Sequence, residues 1–64
     1  MTIGENIKNQ RLKANISQKA LADKLQITQS MVCQIERGSK IPSILLGRGI
    51  AEALGCSIDD LMKN

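Results

Sequence analysis

The sequence has 64 residues, 42% hydrophobic and 23% charged, with no aromatic residue, no histidine and a net charge of +3. A chain of this size buries only about 60% of the surface its unfolded form exposes, which allows one small core and rarely leaves the roughly 300–1,000 Å³ of a catalytic pocket. No apolar run reaches the roughly 18 residues of a membrane span, MTIGENIKNQ lacks the apolar centre of a leader, and two cysteines without histidine complete neither a zinc site nor a disulfide framework, so we expect a cytoplasmic chain with no catalytic residue, metal, cofactor or membrane partner.

Punctuation divides the chain into five short helices. The first is expected from about Thr2 to Ala14, with Thr2 or a neighbour as its cap and Asn15 in the left-handed position that ends it. Ile3 and Ile7 lie one turn apart on its inner stripe, and Arg11 continues that stripe, so its guanidinium needs a buried carboxylate. Ser17 caps a second helix that turns Leu21, Ala22 and Leu25 inward. Thr28 caps a third, with Met31, Val32 and Ile35 towards the core until Gly38 stops it. Ile41 before Pro42 is an extended break; Ser43 then opens a fourth helix through Leu54, closed by Gly55. Ser57 begins the fifth, with Asp59 and Asp60 in the first turn, where the helix dipole favours negative charge. No segment alternates as a strand does, so the fold class is all-α.

The informative unit spans residues 18–37. Two helices of about eight residues are joined by a turn too short for side-by-side antiparallel packing, so they must cross steeply. Leu21, Leu25, Ile27, Val32 and Ile35 are expected inside the angle, with Ala22 at the crossing. The outer face of the third helix is then Gln29, Ser30, Cys33, Gln34 and Arg37, polar side chains of short reach. A glutamine amide donates and accepts at once, which matches the major-groove edge of adenine; solvated helix surface is the plainer reading of Gln29 and Gln34. Residues 1–48 carry a net charge of +5 and residues 49–64 a net of −2, which suits a polyanion on one side, although a total of +3 is also ordinary solubilising charge.

With IGENIKNQR before it and ERGSKIPS, IAEALG and CSIDDLM after it, the segment QKALADKLQITQSMVCQIER resembles the helix-turn-helix of the phage repressor and Cro-type (XRE-like) family, and the resemblance runs over nearly the whole chain. It implies a compact five-helix bundle of the lambda-repressor-like DNA-binding type, with residues 1–64 as a single domain and the third helix in the major groove. Gln29, Ser30, Gln34 and Cys33 would then face base edges, Cys33 by way of a thymine methyl. Gln18, Thr28, Arg37, Lys40 and Ser43 would face phosphates, whereas Lys8, Lys13 and Lys24 read mainly as solvated charge. The family also places an acidic partner for Arg11 at Glu36, a structural ion pair locking the first helix to the third, and a small apolar core residue at Cys56.

Three residues depart from the family pattern. Gln26 occupies a left-handed turn position usually held by glycine, at a cost of roughly 1 kcal/mol. Gly47 and Gly49 lie inside the fourth helix, where each costs about 0.8–1.0 kcal/mol relative to alanine. Either stability is weakly selected there or a partner backbone approaches closely, and the volume missing at Gly47 is expected to be filled by Met31 or Met62.

The functional expectation is a transcription regulator, a repressor or sometimes an activator, binding a two-fold double-stranded DNA operator as a homodimer with no small-molecule effector. The chain ends after the fifth helix without a sensor or separate dimerisation module, so Leu61 is assigned to the core and Ile58 and Met62 to the dimer interface. Two alternatives use the same fold: a DNA-binding antitoxin, for which a toxin-binding tail is missing, and a protein-binding adaptor, whose retention on DNA would lack steep salt dependence.

Overall fold

A hydroxyl side chain opens each of the five helices that a computed structural model describes over residues 2–63. These are α1 (Ile3–Lys13), α2 (Gln18–Leu25), α3 (Gln29–Arg37), α4 (Ile44–Leu54) and α5 (Ile58–Met62). Thr2, Ser17, Thr28, Ser43 and Ser57 are extended, and each side chain accepts a hydrogen bond of 3.0–3.2 Å from the backbone N–H three residues on. Such a cap contributes about 1 kcal/mol by satisfying an N–H that has no partner within the helix. In α1 and α5 the bond is reciprocated: the Thr2 N–H donates to Glu5 at 2.9 Å and the Ser57 N–H to Asp60 at 3.0 Å. These backbone donors, helped by the cap hydroxyls, hold both carboxyls below their ordinary pKa.

The helix ends follow the expected punctuation. Asn15, Gln26, Gly38 and Gly55 adopt positive φ (58°, 57°, 83° and 70°) and reverse the chain after α1, α2, α3 and α4. Gln26 does so without the freedom of glycine, and the Ile27 N–H closes the turn on the Ala22 carbonyl at 3.0 Å.

The core consists of Ile7, Leu21, Ala22, Val32, Ile35, Ile50, Ala51, Leu54 and Leu61, from all five helices. α2 packs on α3 and α4, and α1 on α3, α4 and α5. Leu25 and Ile27, expected inside the α2–α3 angle, are only half-buried, and the Leu25 side chain lies over Gly49 of α4. Cys56 is half-buried against the same core, and burial raises its thiol pKa.

Two close contacts were not anticipated. Gly4 sits against the end of α3: a Cβ there would overlap the Ile35 carbonyl oxygen and come within 2.7 Å of that of Glu36. Asn6 is buried, and its Nδ2 donates to the carbonyls of Leu61 at 3.0 Å and Lys63 at 2.6 Å, capping α5 from α1.

The glycines of α4 have separate reasons. Gly49 lies under Leu25, whose Cδ2 would be 3.2 Å from an added Cβ, so the close approach is to α2 of the same chain. At Gly47 an added Cβ meets nothing within 4 Å. The volume there is not filled by Met31 or Met62: it stays open as an apolar groove of about 240 Å³, with Ile3, Ile7, Ile44 and Leu61 among its walls. Met31 packs against the core from α3, and Met62, next to the inward Leu61, lies on the rim.

These contacts separate the glycines by experiment. Gly4→Ala should lose at least about 2 kcal/mol of stability, since backbone carbonyls cannot move aside as a side chain can. Gly47→Ala should gain about 0.8–1.0 kcal/mol from helix propensity in open space. Urea midpoints at unchanged m-value check both, and the two shifts should have opposite signs.

Candidate nucleic-acid interface

The α2–α3 unit is rigid on its inner side and polar on its outer side. Leu21 and Ala22 from α2, with Val32 and Ile35 from α3, close the angle and fix which face of α3 turns outward. Gln29 and Ser30 are exposed in its first turn, Cys33 and Gln34 are half-buried one turn on, and Arg37 is exposed at its end. Gln34 donates its amide to the Ser30 hydroxyl at 3.2 Å, and the Arg37 guanidinium lies 3.9 Å from the Cys33 sulfur. Ser30 with Gln34 and Cys33 with Arg37 therefore form two linked pairs along the outer face of α3, with Gln29 in its first turn.

The residues expected near phosphates are more dispersed. Thr28 and Ser43 are exposed and use their hydroxyl oxygens as caps, leaving the O–H of each to donate outward. Lys40 is exposed in the α3–α4 loop, where its N–H donates to the Gln34 carbonyl at 3.3 Å. Gln18 differs: it is half-buried at the start of α2, and its Nε2 donates to Glu36 Oε1 at 3.0 Å.

That bond joins Gln18 to a buried ion pair. Arg11 Nε donates to Glu36 Oε2 at 2.7 Å and Nη2 donates to Oε1 at 3.2 Å, a two-pronged contact with side chains only 9% and 3% exposed. Arg11 Nη1 donates to the Ile16 carbonyl at 2.9 Å, so every guanidinium nitrogen is engaged. Among the described residues no buried side-chain nitrogen or oxygen lacks a partner. The pair joins α1 to α3, and through Ile16 it also holds the turn into α2.

Away from this face, Ile58 and Met62 are 41% and 58% exposed beside the Gly47 groove. Sequence reasoning missed further exposed apolar side chains: Ile41 and Ile44, which line the same groove, are each 83% exposed, and Leu45 on α4 is 78% exposed. A signal was present. Leu46, Ile50 and Leu54 repeat every four residues along the inner stripe of α4, which leaves Ile44 and Leu45 no inward position. Cys33 and Cys56 are free thiols, and among the described residues no cluster of three or more metal-ligating side chains occurs. No described helix is long and apolar enough to cross a membrane.

A helix-turn-helix family model matches residues 7–61 of the chain. The P22 c2 repressor, solved in complex with a synthetic operator, is 32% identical, with 98% of this chain and 96% of that one covered and a TM-score of 0.90. SinR, a master regulator for biofilm formation solved in complex with DNA, is 31% identical over 94% of this chain and 97% of its own, with a TM-score of 0.86. The clp gene regulator ClgR from Corynebacterium glutamicum is 25% identical, with a TM-score of 0.89; 92% of this chain covers 63% of that one.

The ion pair gives a quantitative expectation. Arg11→Met or Glu36→Leu alone should cost about 3–5 kcal/mol, because each leaves a buried charge unpaired. The double variant Arg11→Met/Glu36→Leu should recover most of that loss. Chemical denaturation of the four proteins closes the cycle, and additive losses would show that the two side chains act independently.

Proposed function

The chain belongs to the helix-turn-helix family of phage repressor and Cro type, and from that premise we propose that it is a sequence-specific regulator of transcription that binds double-stranded DNA with α3 in the major groove. The observation that carries this reading is the outer face of α3, a set of hydrogen-bonding side chains uncharged apart from Arg37, on a helix locked from behind by the core and the Arg11–Glu36 pair. Gln29, Ser30 and Gln34 read base edges, and Cys33 offers its sulfur edge to a thymine methyl. Gln18, Thr28, Arg37, Lys40 and Ser43 hold the phosphates, positioning the helix without reading sequence. Residues 1–64 act as one domain in this reading.

The regulator works as a homodimer. One such domain reads only a few base pairs, and two-fold pairing doubles the recognised length. The surface that supports pairing is the apolar patch of Ile41, Ile44, Ile58 and Met62 around the Gly47 groove, which offers both protruding side chains and a hollow to receive them. A two-fold contact requires that kind of self-complementarity.

Two measurements test these assignments. Gln29→Ala should lose about 1–3 kcal/mol of discrimination at one base pair per half-site while keeping its unfolding midpoint. A panel of single-base operator variants reads this out, and an unchanged preference would remove Gln29 from the reading set. For the dimer, an inverted repeat selected from random DNA should have half-site centres about 10–10.5 bp apart. Inserting about five base pairs puts the half-sites on opposite faces of the duplex and should reduce affinity towards that of one half-site; indifference to the insertion would contradict the two-fold arrangement.

A further inference from the structure

Glu36 is buried, yet one of its carboxylate oxygens serves a residue at the surface. Oε2 takes the Arg11 Nε–H, whereas Oε1 is shared between Arg11 Nη2 at 3.2 Å and Gln18 Nε2 at 3.0 Å. We propose that Glu36 is a positioning residue for DNA: its carboxylate holds the Gln18 amide in the orientation that presents an N–H to a phosphate. The inference rests on the DNA-binding reading above and adds to it a role for a side chain that touches no DNA.

An ionised carboxylate only accepts, so the half of the Gln18 amide facing Glu36 must be the NH₂ group. The same nitrogen carries a second hydrogen, directed away from the first in the plane of the amide. Gln18 is half-buried, so this second N–H belongs to a side chain anchored by Glu36 that still keeps part of its surface in solvent. Without the carboxylate the amide could rotate and offer its oxygen to the phosphate, which would be repelled. The two-pronged Arg11 contact supplies the remaining requirement. It compensates the negative charge of Glu36, so the carboxylate can orient a phosphate ligand without driving the phosphate away.

The test separates positioning from stability by measuring DNA affinity on folded proteins. Phosphate contacts are independent of sequence, so the probe is a mixed-sequence duplex at low salt. In the native background Gln18→Ala should weaken binding about three- to tenfold, the range of one hydrogen bond. In the Arg11→Met/Glu36→Leu background, where the pair is replaced by apolar side chains, binding should already be weakened by that factor, and Gln18→Ala should add almost nothing. Equal losses in both backgrounds would overturn the positioning role and leave the DNA-binding reading standing. No loss from Gln18→Ala in the native background would also overturn it, by removing the contact. Absence of salt-dependent binding by the native protein would overturn both readings. A second measurement needs no altered ion pair: in the side-chain amide spectrum of the native protein, adding the duplex should shift one Gln18 Nε2 proton and leave its Glu36-bonded partner in place. Shifts of equal size on both protons, or on neither, would refute the proposal.

Discussion

The arrangement of this small bundle depends on one buried ion pair. Arg11 comes from α1 and Glu36 from α3, and their contact crosses 25 residues of chain. Burying two charges is unfavourable unless both are paired and hydrogen-bonded, and both are. Arg11 also reaches the Ile16 carbonyl and Gln18 donates to Glu36, so the contact also holds the end of the short link that leads into α2. A two-pronged contact between planar groups has one register, and the outward face of α3 inherits it.

Close approach of backbones provides the rest of the order. The core is aliphatic throughout, with no aromatic side chain to span gaps between helices. Helices therefore have to come near one another, and glycines lie where they do: Gly4 against the last carbonyls of α3 and Gly49 beneath Leu25. Gly4 and the ion pair act at the same joint from different directions. One sets how near α1 lies to the end of α3, and the other sets its rotation.

The helices and their ends were legible in the sequence because each boundary rests on local chemistry. A hydroxyl before each apolar stripe, and Asn15, Gly38 and Gly55 after three of them, are visible without knowledge of the fold, whereas the left-handed turn at Gln26 was placed through the family resemblance. The inward position of Arg11 was legible too, since it lies one turn beyond Ile7. What escaped notice depends on distance in three dimensions. Gly4 resembles any first-turn glycine until the end of α3 is brought against it, and Asn6 resembles a surface amide until α5 returns 55 residues later. The link between Gln18 and Glu36 escaped for the same reason. The open groove at Gly47 was misjudged because volume missing from a helix can be left to solvent as well as filled, and spacing alone does not decide between the two.

The Asn6 amide has a consequence for how the chain is made. Its two acceptors, the carbonyls of Leu61 and Lys63, lie 55 and 57 residues away. A ribosome delivers Asn6 long before those carbonyls, so a chain that stops short of α5 has an amide without its acceptors and a core without Leu61. α1 is then unsupported on one flank, and it is α1 that holds α3 through Arg11. A product truncated before α5 therefore lacks one of the supports of α1 and, through Arg11, of the face that α3 turns outward.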